Sequence, residues 1–363
     1  MRNSRGTRNR GPGFQGFLEK YIIALTIILC IVVFMLVRNE VKTSKYQSHY
    51  LSAISKQLSF KLAAGSNASV RYPEYGPYDQ RLGYTSLPEI IKRLEKVGYG
   101  VSSQATFSPM MTELSDYGLF NIYHEKSQAG LRITDKSDKV IFNVVYPSYG
   151  YPNFEAVPPL ILETLLFIEN RELLNDDNTT VNPAIEWDRL GYAGLQLVAH
   201  KLGVISNVAG GSTLATQIEK YRHSKNGYTN SVVDKFRQMG TASLRAYMMG
   251  PNTREMRQEI ALSYLNSMPL AATSKLGEIH GLGDGLSAWF STDFNEVNAL
   301  LSANELKAPR RITLQQAQAY RKVLNILLSQ RRPSYFLGKG YDALQILTNK
   351  YLRVLSEGQM TFC

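Results

Sequence analysis

Apolar residues run without interruption from Tyr21 to Val37 (YIIALTIILCIVVFMLV), and no second run like it occurs in the chain. It is slightly shorter than the roughly 20 residues that usually cross a bilayer, but within the range that does so. Arg38, Asn39, Glu40 and Val41 follow it directly, where a cleaved signal peptide would carry a small-residue processing site, so the segment is expected to persist as an anchor. Arg2, Arg5, Arg8, Arg10 and Lys20 precede it, while Arg38, Lys42 and Lys45 follow with Glu40 among them. That bias puts the N-terminus in the cytoplasm.

Past the anchor the pattern changes twice. Lys45 to Leu62 suits a juxtamembrane helix, and the Gly-, Ser-, Asn-, Pro- and Tyr-rich stretch from Ala63 to Tyr84 reads as a linker. Leu87 to Val97 has apolar residues at helical spacing behind Ser86 as a cap. Short strand-like runs follow at Leu119–His124, Leu131–Thr134 and Val140–Tyr146, which makes a small α+β module. From Val157 the period is helical nearly to the end. Helices are expected over Leu160–Glu172, Ile185–Leu202, Thr213–Tyr221, Val232–Met249, Arg254–Leu265, Glu296–Ala303, Leu314–Leu328 and Asp342–Ser356. The expected divisions are a tail over 1–18, an anchor over 19–38, a juxtamembrane helix and linker over 39–84, the module over 85–150, a mostly α domain over 151–310 and a helical extension over 311–363.

Composition narrows the function. In 363 residues, 44% are hydrophobic, enough for a real core, and the formal net charge of +11 favours acidic partners such as nucleic acid, anionic lipid or a phosphorylated substrate. The positive residues are scattered, and a domain exported past an anchor rarely meets nucleic acid, so that partner is set aside. Cys30 and Cys363 form neither a disulfide framework nor a zinc motif.

Two segments carry candidate chemistry. Gly210-Gly211-Ser212-Thr213 precedes the helical LATQIEKY, so free backbone N–H groups at a helix N-terminus could cradle an anion. Thr213, Gln217 and Lys220 then line one face of that helix, a row able to grip a phosphate or pyrophosphate. Read alone, the segment is equally an ordinary capped loop. Glu169 ends the apolar LILETLLFIE and emerges beside apolar surface, where a carboxylate can be tuned towards a base. Read alone, it is a solvated helix end. His223, after Lys220 and Arg222, is a further candidate phosphate contact.

Read together, these segments resemble the peptidoglycan glycosyltransferase family, the transglycosylase domain of class A penicillin-binding proteins and of monofunctional transglycosylases. The family's Glu-Asp-x-x-Phe appears as IENREL from Ile168, and its Gly-Gly-Ser-Thr motif as GGSTLATQIEKY from Gly210. Its Arg-Lys-x-x-Glu lines up with Asp234-Lys235-Phe236-Arg237-Gln238, and its Ile-Leu-x-x-Tyr-Leu-Asn with Ile260 to Asn266. Gly281 to Phe290 (GLGDGLSAWF) matches a later glycine-rich segment, which explains a GxGxG that would otherwise suggest a nucleotide loop. The likeness spans roughly Val157 to Ala303. Departures accompany it: Asn170 stands for the first motif's Asp, Leu173 for its Phe, Gln238 for the third motif's Glu, and Asp234 for its Arg, with insertions in both spacers. Neither Ser-x-x-Lys nor Lys-[Ser/Thr]-Gly occurs, so no transpeptidase half is expected.

The resemblance implies a lysozyme-like, mostly α glycosyltransferase domain behind one transmembrane helix. It would sit in a bacterial inner membrane with its main domain in the periplasm, polymerising lipid II with loss of undecaprenyl pyrophosphate. Glu169 would be the base, with Gln238 in the place of the second catalytic carboxylate. Gly211, Ser212, Thr213, Gln217, Lys220, Lys235, Arg237 and Asn266 would bind substrate. Glu172 and Glu219 are the candidates for a replacement carboxylate, and a divalent cation, Mg²⁺ or Mn²⁺, is compatible with the family. The partners would be lipid II, nascent glycan, the membrane and other cell-wall synthases. The alternative is a catalytically impaired relative that binds lipid II, glycan or a synthase as a scaffold or regulator. With Gln238 in the groove, Gln238→Glu is expected to be tolerated among Lys220, Lys235 and Arg237.

Overall fold

The computed structural model describes residues 14–73, 76–201, 211–302 and 312–356. Gly210, the tail before residue 14 and the end from 357 lie outside it. The apolar run lies within helix α1 (Phe14–Thr43), whose most apolar 18-residue window has mean hydropathy 2.8 with none of it buried against protein. Among the described residues, this helix is the one long and apolar enough to cross a membrane, and it fits a single-pass anchor.

Ser44 takes a left-handed conformation (φ 47°) and turns the chain into α2 (Lys45–Ser55). Glu40, near the end of α1, caps the new helix by accepting from the Tyr46 and Gln47 N–H groups at 2.9 and 2.8 Å. Ser48, Ser52 and Ser55 form a small-residue face at helical spacing, and the Ser55 hydroxyl donates to the Leu244 carbonyl at 2.8 Å. The juxtamembrane helix is thereby fixed to the main body.

The juxtamembrane helix stops at Ser55 rather than running to Leu62: Phe60–Ala64 is instead strand β1, which pairs antiparallel with β2 (Ser103–Phe107), Phe60 opposite Phe107, and within the expected linker α3 (Pro77–Arg81) buries Tyr78 and Asp79. Helices α4 (Leu87–Glu95) and α5 (Pro109–Asp116) flank the second strand. Leu119–His124 forms no strand, because it crosses onto the helical domain: Phe120 N–H donates to Thr241 and the Tyr123 carbonyl accepts from Arg245. Strands β3 (Ala129–Thr134) and β4 (Val140–Tyr146) make a separate hairpin.

The rest is helical: α6 (Pro159–Glu169), α7 (Trp187–Lys201), α8 (Leu214–His223), α9 (Val232–Ala246), α10 (Arg254–Ser267), α11 (Gly281–Phe290), α12 (Phe294–Ser302), α13 (Leu314–Ser329), α14 (Pro333–Phe336) and α15 (Tyr341–Ser356). One core joins them. Ile161, Leu165, Leu214, Leu265, Leu282, Leu286, Val323, Leu324 and Leu327 are at most 1% exposed, and each such side chain contributes about 1.5–3 kcal/mol by leaving water. Helices α13 and α15 share this core with α6, so no break in packing separates the expected C-terminal extension from the domain before it.

Helix α11 explains the glycine-rich segment without a nucleotide. Gly281 has φ 76°, and a Cβ there would lie 2.6 Å from the Asn266 carbonyl oxygen; one at Gly283 would lie 2.6 Å from Tyr149. Asp284 accepts from the Ser148 and Tyr149 N–H groups at 2.9 and 2.8 Å, which holds the end of the β4 segment against the helix.

Candidate functional site

Pro158 and Pro159 start α6, its apolar residues enter the core, and the helix stops where Asn170 goes extended (φ −160°). Glu169 is therefore delivered at a helix end, its side chain 10% exposed. Gln217 Nε2 donates to its Oε2 at 3.1 Å and Gln330 Nε2 to its Oε1 at 2.9 Å, while Arg331 stands 3.7 Å away. Tyr264 completes the setting from α10: its hydroxyl donates to Gln217 Oε1 at 3.4 Å, and burial together with the Glu169 charge raises its pKa well above the usual phenol value.

Helix α8 presents three different faces. Leu214, Ala215 and Ile218 enter the core, Gln217 and Lys220 face Glu169, and Glu219, Arg222 and His223 face the small module. Desolvation lowers the Lys220 pKa, opposed by the Glu169 carboxylate. Lys235, from α9, donates to Ser212 Oγ at 2.8 Å; desolvation, then the nearby charges of Lys220 and Arg189, bring its pKa down to about 8. Glu169, Gln217, Lys220, Lys235 and Ser212 are thus assembled in one place.

The helix N-terminus is less open than its sequence suggests. Thr213 and Thr216 form a reciprocal capping box, and the Leu214 N–H donates to Asn170 Oδ1 at 3.3 Å. Thr213 is fully buried and also bonds the Ala184 carbonyl, so it braces the turn while Gly211 and Ser212 border it on the Lys235 side. The two cations on this side of the site are Lys220 and Lys235.

Other candidates lie elsewhere. Gln238 is 1% exposed, and its amide donates to Ser224 at 2.9 Å and Thr229 at 3.0 Å, a brace at the far end of α8. Arg237 leans over the Phe120 ring at 5.8 Å with Asp234 at 3.5 Å, facing the small module. Asn266 clamps Tyr151 through both backbone groups at 2.8 Å. Glu219 is locked against Arg245 at 2.7 Å in a buried ion cluster. Glu172 is exposed, accepts from Asn175, and borders the Glu169 recess. His223 is no phosphate contact: it sits between Asp79 (3.0 Å) and Glu125 (2.6 Å) in the same cluster. Periodicity could not separate these faces, because Lys220, Arg222 and His223 occupy successive sides of one turn.

Beside Glu169 opens a recess of about 480 Å³ lined by Phe167, Ile168, Ile185, Glu186, Trp187, Arg189 and, from the end of the anchor, Val41. The segment after Glu169 is fastened to that anchor. Asn178 Nδ2 donates to the Lys42 carbonyl, Thr180 Oγ1 to the Thr43 carbonyl at 2.6 Å, and the Asn182 N–H to Ser44 Oγ. The carboxylate and the C-terminal end of α1 therefore border one cavity.

The residues present do not make a protein-built divalent-cation site. Both Glu169 oxygens accept amide N–H groups, its other near neighbours are cationic, and no group of three or more His, Cys, Asp or Glu among the described residues is arranged to hold a metal ion.

The site thus joins a carboxylate at an apolar helix end to two partly desolvated lysines, beside the end of the apolar helix α1. The chain belongs to the transglycosylase family, whose model matches residues 139–331, just over half of the 363. That membership gives it a peptidoglycan glycosyltransferase-type function in general terms. Among curated proteins none matches the chain.

Proposed function

We propose that this protein is a membrane-anchored peptidoglycan glycosyltransferase that polymerises lipid II into glycan chains, single-pass in a bacterial inner membrane with its N-terminus cytoplasmic and its main domain periplasmic. The observation that carries the reading is Glu169 with Gln217 and Lys220 beside it and Lys235 close to Lys220, next to a recess that Glu169 shares with the end of α1. Such a recess suits a substrate whose isoprenoid tail stays in the bilayer while its pyrophosphate and sugars reach the protein.

In the reaction, the Glu169 carboxylate takes the proton of the acceptor sugar's 4-hydroxyl as that oxygen bonds to the donor's anomeric carbon. The bond from that carbon to the pyrophosphate oxygen breaks, its electron pair leaves with undecaprenyl pyrophosphate, and the configuration inverts. Lys220 and Lys235 neutralise charge gathering on the leaving group, the kind of stabilisation that usually dominates such a step. Gln217 and Gln330 hold the carboxylate in register. Detergent-solubilised protein given labelled lipid II is expected to form glycan chains, and Glu169→Gln to abolish them while lipid II binding persists.

The scaffold reading has one observation in its favour: Gln238 is tied to Ser224 and Thr229, and Glu219 is spent on Arg245, so neither places a second carboxylate beside Glu169. It expects lipid II binding that depends on Lys220, with no turnover in the wild type. Chain formation by the wild type would exclude it.

A further inference from the structure

We propose that Arg189, on the helix following the inserted loop, is a third cation of the pyrophosphate site, held there by Glu186. The proposal rests on the glycosyltransferase reading for its substrate but not for its geometry. Arg189 NH1 donates both to the Glu169 main-chain carbonyl and to Glu186 Oε2, each at 2.9 Å. It lies at the start of α7, and its side chain remains 42% exposed towards the recess that Glu169 lines. A guanidinium fixed through one nitrogen, with the rest of its planar fork open to a cavity, is well suited to phosphate oxygens.

Two further observations give this arrangement meaning. The Arg189 charge reaches Lys235, where it adds to Lys220 in lowering the lysine's pKa, so Arg189 and the two lysines lie within one another's field. Concentrated positive charge at a site without its anion is unfavourable, and a bound pyrophosphate relieves it. Glu186 also has a second task. Its Oε1 accepts from the Asn170 amide, whose oxygen in turn accepts from the Leu214 N–H at the start of α8. Glu186 therefore sets Arg189 on one side and, through Asn170, the start of the helix bearing Gln217 and Lys220 on the other. It is a positioning residue. Asn170, where the family motif has Asp, fits this arrangement because an amide can donate to Glu186 while accepting from Leu214; an ionised carboxylate could not donate.

The test uses the full chain in detergent, with inorganic pyrophosphate as probe in calorimetric titrations from pH 6.5 to 9.5, and lipid II polymerisation measured in parallel. Arg189→Gln is expected to weaken pyrophosphate binding about tenfold at pH 7 and to move the alkaline loss of binding, set by Lys235, to higher pH. Arg189→Lys should restore part of the affinity, and Glu186→Gln should give a smaller loss with the same direction of change in KM. Arg189 is half-exposed at the surface of α7, so the folded fraction, checked by thermal unfolding, should stay at the wild-type level. Unchanged affinity and an unchanged pH profile in Arg189→Gln would overturn the proposal even if the wild type polymerises lipid II. An Arg189-dependent pyrophosphate site in a protein that forms no glycan would sustain it while removing the enzymatic reading. A wild type that binds no pyrophosphate overturns it outright.

Discussion

Replacing Glu125 with Gln tests how the helix bearing Gln217 and Lys220 is held from behind. Glu125 meets Arg222 at 2.6 Å, His223 at 2.6 Å and Arg245 at 2.7 Å, and its own side chain is 3% exposed. Asp79, Glu125 and Glu219 balance His223, Arg222 and Arg245, so the cluster is neutral when His223 is protonated. Burial alone would lower the His223 pKa. The Glu125 charge and the hydrogen bonds the ring donates to Asp79 and Glu125 outweigh it and raise the value from 6.5 to about 10. That rise is equivalent to about 5 kcal/mol favouring the charged ring, in line with the roughly 3–5 kcal/mol lost when one partner of a buried pair is removed. Glu125→Gln should therefore destabilise the helical domain by about 3–5 kcal/mol, lowering the melting temperature by roughly 6–20 °C for a domain of this size. The pH dependence supplies a second reading. A histidine whose folded pKa is raised contributes stability that is complete below its unfolded value near 6.5 and disappears as pH climbs through about 10. Wild-type melting temperature should fall over that window, and the fall should be much shallower in Glu125→Gln. Thermal unfolding of the detergent-solubilised chain at pH 6, 8 and 10 measures both. A variant that melts within 2 °C of wild type and keeps its pH slope would refute the assigned role of the cluster.

Glu169→Gln should cut glycan formation by at least about a hundredfold, the low end for loss of a positioned base, with lipid II binding within about twofold of wild type. Because Lys235 must be protonated to hold pyrophosphate and its pKa is brought down to about 8, kcat/KM should decline as pH rises through 8, and Lys235→Met should be weak at every pH without that inflection. Gln238→Glu, which the sequence suggested would be tolerated in a cationic groove, should instead cost about 1–3 kcal/mol and leave polymerisation no faster, since its amide donates to Ser224 and Thr229 in a buried place. Melting curves and initial rates on the same preparation check it.

The anchor, the helical character of the chain beyond Val157 and the strand Val140–Tyr146 were legible because each depends on local periodicity or on an uninterrupted apolar run. The role proposed for Glu169 was suggested only by ordered motifs, since a carboxylate at the end of an apolar helix says little by itself. Tertiary structure decided the rest. Strand β1 falls where the expected juxtamembrane helix meets the expected linker and was missed because its partner lies about forty residues downstream, and pairing across that distance leaves no local signal. The GLGDG segment becomes a buried helix because Asn266 and Tyr149 leave no room for side chains. Gln217, Lys220, Glu219 and His223 share ten residues of one helix, yet two face a candidate reacting carboxylate and two a buried ion cluster, a choice made by what packs on each side. Arg189 and Glu186 lie between the first two motifs and belong to neither, and only the folding of residues 170–186 back against the end of α1 brings them beside Glu169. Local pattern specifies which residues are apolar and where helices run; which charges come to share a cavity depends on long-range packing, and a linear sequence records that packing only indirectly.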